Sequence, residues 1–138
     1  MTRLYMLDTN TVSYILKGIS AAARKRLSKL GRNEVVSVSA IAAGELWYDL
    51  ERIGSGDLRR NALRSFLGRI KVLPWDSDVA DAYGAFRVHQ EAIGRPLGPL
   101  DTQIAAQAIA VGAILVSNDA AFQYAVGLPG LERWAIDI

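Results

Sequence analysis

Four carboxylates sit where chemistry is expected. Asp8 directly follows the apolar run Arg3–Leu7, and Asp119 closes the polar turn Ser117-Asn118-Asp119 after the run Ala113–Val116. Glu45 is interior to a helical stretch, on the side of Ile41, Ala42, Leu46 and Leu50, where a carboxylate is costly unless it is paired or binds a cation. Asp101 opens a strongly apolar helix behind Gly98-Pro99. Singly, each has an ordinary explanation: Asp8 and Asp119 fit helix caps or turns, Asp101 suits the positive end of a helix, and Glu45 suits a salt bridge. Together they suggest one acidic cluster, whose mutual repulsion a cation would relieve. The chain has no cysteine and a single histidine, His89, so soft-ligand metal sites and thiolate catalysis are excluded. All-oxygen ligands select Mg²⁺ or Mn²⁺. Phosphodiester hydrolysis is the reaction this equipment fits best.

The elements that must position these acids are legible in outline. Strands are expected at Arg3–Leu7, Glu34–Val38, Lys71–Leu73, Ala113–Val116 and Trp134–Ile138. Between them lie a helix carrying Val12, Ile15 and Leu16, a basic helix from Ser20 through Arg32, and a helix from Ser39 to about Arg52. Further helices are expected from Asp57 to Arg69, from Asp76 to Ile93 and from about Leu100 to Val111. Strands separated by helices predict an α/β fold, a three-layer α/β/α sandwich around a mostly parallel sheet. In such sheets, sites form at the carboxyl ends of the strands, where Asp8 and Asp119 fall.

With 138 residues, 51% of them apolar and 22% charged, the chain is expected to be one ordered domain, 1–138. No run approaches the length of a membrane span, no leader is evident at Met1–Leu7, and a cytoplasmic protein is expected. The net charge of +2 hides an asymmetry: residues 17–71 hold twelve Lys and Arg against five Asp and Glu, and the rest hold four against nine. Arg24, Lys25, Arg26, Lys29, Arg59, Arg60 and Arg64 therefore form either an RNA path or a solvated face. His89 has no partner at useful spacing, and a surface or satisfied role is expected for it.

Several blocks carry a family resemblance. Leu7-Asp8-Thr9-Asn10, Ala43-Gly44-Glu45-Leu46, the stretch Gly94-Arg95-Pro96-Leu97-Gly98-Pro99-Leu100-Asp101 with Ile104-Ala105-Ala106, and Leu115-Val116-Ser117-Asn118-Asp119 with Phe122 resemble a PIN-domain ribonuclease. The likeness is to VapC toxins of type II toxin–antitoxin modules, and the tail from Val126 to Trp134 shares it. The resemblance implies Mg²⁺- or Mn²⁺-dependent endonucleolytic cleavage of RNA leaving a 5′-phosphate. It implies Asp8, Glu45, Asp101 and Asp119 as catalytic metal ligands, Asn10 as a polar residue orienting the first acid, and Ser117 as a hydroxyl beside the site. One departure is Asp49, where a small residue is common. A VapB-type antitoxin partner and a toxin homodimer are implied as well.

Arg95, in the loop before Asp101, is the basic residue expected nearest the substrate. Trp47, Tyr48 and Leu50, and Leu63, Phe66 and Leu67, have core spacing, and a groove between their helices would suit an apolar partner helix. Two other readings share these residues: a catalytically inactive binding module of the same fold, and a metal-dependent DNA nuclease or phosphatase. The glycines lack the spacing of a dinucleotide-binding or phosphate-cradling loop.

Overall fold

Alternation of side chains along the first strand sets the architecture. In a computed structural model describing residues 1–138, β1 (Arg3–Leu7) directs Tyr5 and Leu7 to one face of a sheet and Leu4 and Met6 to the other. The remaining strands are β2 (Glu34–Ser39), β3 (Lys71–Leu73), β4 (Ile114–Val116) and β5 (Gly130–Glu132), and they join β1 in the order β3-β2-β1-β4-β5. Every pairing is parallel. Successive connections run outward from β1 to β3, then return across to β4, so the direction of winding reverses between β1 and β4. That crevice is where α/β sheets build sites.

The helices are α1 (Thr9–Lys17), α2 (Ala21–Ser28), α3 (Ala40–Arg52), α4 (Asp57–Arg69), α5 (Ser77–Ala92) and α6 (Pro99–Val111). Tyr5, Leu7, Val36, Val38 and Val116 pack with α1, α2, α4 and one side of α3. Met6 and Leu115 pack with Phe86 of α5 and with Ile104, Ala105 and Ala108 of α6. The three-layer α/β/α expectation is met. Small side chains let α6 lie close to the sheet; its residues 104–108 are all buried, including Gln107, and Gly112 ends it at φ 71°.

Three expectations differ from the structure. The last strand is Gly130–Glu132, not Trp134–Ile138. Gly130 pairs with Ile114, whose side-chain carbons would lie 3.3 Å from any Cβ at that position, so the glycine permits the pairing although it carries no strand signal. The tail instead packs Trp134 against Tyr5, with ring centroids 5.4 Å apart, and sends Asp137 to cap α2 through Ser20 Oγ and the Ala22 amide. Helix α2 stops at Ser28 rather than Arg32; the Ser28 hydroxyl donates to the Lys25 carbonyl, and the chain then turns through Gly31. Tyr48 is 63% exposed, because it falls off the stripe of Ala43, Leu46, Trp47 and Leu50 that faces the core. Leu63, Phe66 and Leu67 pack on the core as expected, and His89 is exposed.

Candidate active site

Asp8 is fixed from two directions. It ends β1 and caps α1: Oδ1 accepts from the Thr11 amide at 2.8 Å, and Oδ2 accepts from Ser117 Oγ at 2.6 Å. Its backbone amide donates to the Val116 carbonyl, which locks the exit of β1 to that of β4. Ser117, 4% exposed, also accepts from the Asp119 amide at 2.9 Å. One buried hydroxyl thus links the carboxylate of Asp8 to the backbone that carries Asp119.

Asp119 is exposed and caps the 3-10 helix Ala120–Tyr124, its Oδ1 accepting from the Ala121 amide. Glu45, half-buried in α3, accepts from Thr9 Oγ1 at 2.9 Å. Asp101 lies in the first turn of α6, which Pro99 opens. Thr102 Oγ1 ties that turn to the loop before it through the carbonyls of Leu97 and Gly98. The capping roles considered for Asp8 and Asp119 are therefore real, and both residues nevertheless face one pocket.

That pocket, of about 210 Å³, is lined by Asp8, Thr9, Asn10, Glu45, Asp49, Leu100, Asp101, Ile104, Asp119 and Phe122. The carboxyl of Asp101 is pushed above its ordinary range, first by burial, then by the charges of Asp119, Asp8 and Glu45. The ion pairs of the chain are Arg26–Glu34, Arg52–Asp49, Arg60–Glu51 and Arg87–Glu91, so none of these four acids has a basic partner. Glu45 in particular is held by a hydroxyl, not by the salt bridge that was the alternative.

Hard oxygen donors around uncompensated negative charge suit Mg²⁺ or Mn²⁺. No three of the acids stand close enough to grip a single ion in this arrangement. The donor chemistry and the charge fit the ion.

The other predicted residues divide. Asn10 lines the pocket but is exposed and makes no hydrogen bond to Asp8; Ser117 and the Thr11 amide do that work. Arg95 lies outside the pocket lining, exposed, with its guanidinium 4.1 Å from the ring centroid of Tyr124. The basic residues do not form one free path. Arg26 lies against both the Tyr5 and Trp134 rings and is bonded to Glu34, Arg24 donates to the Ile15 carbonyl, Arg60 pairs with Glu51, and Arg64 lies over Trp47. Lys25, Lys29 and Arg59 are exposed.

Sequence reasoning missed Thr9 as the partner of Glu45, although it stands beside Asp8. Asp49 was noticed only as a departure, but four residues past Glu45 it returns to the same helix face.

Comparison with known proteins matches the PIN domain family model over residues 5–128. A relative from Shigella flexneri, "tRNA(fMet)-specific endonuclease VapC", is 31% identical over 131 residues, covering 95% of this chain and 98% of the relative. A crystal structure of VapBC2 from Rickettsia felis bound to a DNA fragment from the promoter superposes with a TM-score of 0.87 at 30% identity, covering 95% of this chain and 98% of that one. DNA-bound VapBC from Salmonella typhimurium gives a TM-score of 0.86 at 29% identity, covering 97% and 99%.

Proposed function

Since the chain belongs to the PIN-domain family, we propose that it is a Mg²⁺- or Mn²⁺-dependent endoribonuclease and the toxin of a type II toxin–antitoxin pair. The observation that carries this reading is the convergence of Asp8, Glu45, Asp101 and Asp119 on one pocket with no basic residue to neutralise them. A relative named as a VapC endonuclease over nearly the whole chain supports the choice of RNA as substrate.

Asp8, Glu45, Asp101 and Asp119 would hold the ion. The chemistry supplied there is Lewis-acid stabilisation of a phosphate and activation of a water. The chain's own residues do the positioning. Ser117 and the Thr11 amide fix both oxygens of Asp8, so its carboxylate plane is set before any ligand arrives. Thr9 holds one oxygen of Glu45 and leaves the other free. Burial and the charges of Asp119, Asp8 and Glu45 push the Asp101 carboxyl above its ordinary range, a push that positive charge in the pocket would offset. Asn10, exposed on the rim, is available to a phosphate or sugar, and Arg95 extends the surface toward the RNA backbone.

A VapB-type antitoxin is the proposed partner, in line with the VapBC assemblies that superpose on this chain. The groove between α1, α3 and α4, lined by Leu16, Leu46, Leu50, Ile53 and Leu63, suits an apolar segment of it. No helix is long and apolar enough to cross a membrane; a cytoplasmic homodimer is the working form we propose.

The test is cleavage of RNA, DNA and a phosphate monoester by the wild type, Asp8→Asn and Asp101→Asn, with Mg²⁺, Mn²⁺ or EDTA. RNA cleavage that needs metal and both acids is the expected outcome. Cleavage that persists in EDTA or in the Asn variants overturns the reading. Preference for DNA or monoester reassigns the substrate.

A further inference from the structure

Gln90 is polar, 1% exposed, and sits near the end of α5, outside the acidic pocket. Burying an amide costs free energy unless its groups are bonded, and an aliphatic residue would fill the space without that cost. Here three of its four bonding directions are used, between two separate segments. Nε2 donates to the Arg95 carbonyl and to the Tyr124 carbonyl, both at 2.9 Å, and Oε1 accepts from the Val126 amide at 3.0 Å. The Arg95 guanidinium lying over Tyr124 joins the same two segments from the solvent side.

Each segment leads to an acid of the pocket. Arg95 begins the loop that Thr102 Oγ1 fastens to the first turn of α6, next to Asp101. Tyr124 ends the 3-10 helix that Asp119 caps. Between them Phe122, 2% exposed, lines the pocket itself. We propose that Gln90 is a positioning residue that sets the spacing of Asp101 and Asp119, by bonding at once to the loop entering α6 and to the segment leaving the 3-10 helix. The inference rests on the metal-binding reading of the pocket and adds a residue that touches neither metal nor RNA.

The experiment is Mn²⁺ binding without RNA, followed by electron paramagnetic resonance of the free ion, on Gln90→Met, Asp101→Asn and Glu34→Gln. Glu34 also makes three hydrogen bonds, to Tyr5, Arg26 and the Gly31 amide, at the far end of β2. Its variant therefore controls for general loss of stability. Gln90→Met is expected to raise the Mn²⁺ dissociation constant about tenfold, with Glu34→Gln unchanged. Tyr124→Leu removes the ring under the Arg95 guanidinium and is expected to weaken binding by up to about threefold; it carries the test if Gln90→Met does not fold. Wild-type affinity in a folded Gln90→Met, with Asp101→Asn impaired, overturns the role of Gln90 alone, as does wild-type affinity in Tyr124→Leu where Gln90→Met does not fold. So does equal weakening in Glu34→Gln. A wild type that binds no Mn²⁺, or an Asp101→Asn that binds as tightly as the wild type, overturns the metal reading itself.

Discussion

Ser117 Oγ lies 2.6 Å from Oδ2 of Asp8, across 109 positions of sequence. The bond spans the crevice between the central strand and its later neighbour, and the same oxygen accepts from the Asp119 amide. Removing it is expected to loosen two acids together. Ser117→Ala should lose about 1 kcal/mol of stability and weaken metal binding by about tenfold or more. Ser117→Thr should keep both near wild type. Chemical denaturation and Mn²⁺ titration measure the two effects.

Asp101→Asn is expected to separate stability from activity. In metal-free buffer at neutral pH the variant should melt higher than the wild type, because it removes a half-buried charge facing Asp119, Asp8 and Glu45. RNA cleavage should fall about a hundredfold or more. Calorimetry and a cleavage assay check the opposite signs, and millimolar Mg²⁺ should raise the melting temperature of the wild type more than that of the variant.

The pH profile of stability should show two opposing carboxylates. The folded state raises the pKa of Asp101, so its protonated form is favoured there. Its contribution is greatest below its unfolded pKa and is lost as pH rises through the folded value. Glu34 is lowered to about 2 by the Gly31 amide, Arg26 and the Tyr5 hydroxyl. Its contribution is present above its ordinary value of 4.5 and is lost as pH falls toward 2. Glu34→Gln should therefore lower the melting temperature at neutral pH and converge with wild type in strong acid.

Arg95→Ala is expected to act on RNA binding rather than on turnover. With RNA in excess, cleavage should stay close to wild type, while KM rises. The log–log salt dependence of binding should flatten by about 0.7 for one lost phosphate contact. An unchanged salt slope would place Arg95 in support of Tyr124 alone.

Much of the candidate pocket was readable because three of its acids stand just past strands or at a helix start, positions fixed by local pattern. Asp8 and Asp119 followed apolar runs, and Asp101 followed Gly98-Pro99. What stayed hidden depended on partners distant in sequence. Thr9 gives no signal until α3 brings Glu45 alongside it, 36 residues later. Gln90 reads as an ordinary polar helical residue, since nothing local announces Tyr124 or Val126. The fold failed to read in the same way at β5: Gly130-Leu131-Glu132 lacks strand character and pairs because β4 offers an open edge above a glycine. Trp134–Ile138 had the composition of a strand, but Trp134 was needed under Tyr5.

The parallel order β3-β2-β1-β4-β5 also bears on when the acidic pocket can assemble in a nascent chain. β1 leaves the ribosome first, yet one of its two partners arrives more than a hundred residues later, where Tyr5 meets Ile114. Closing so long a loop is slow and unrewarded until the late strand docks. Chains released before β4 would carry Asp8 and Glu45 on an unfinished sheet, with Asp119 still missing. The acidic pocket can therefore assemble only after β4 and the turn that carries Asp119 have been made.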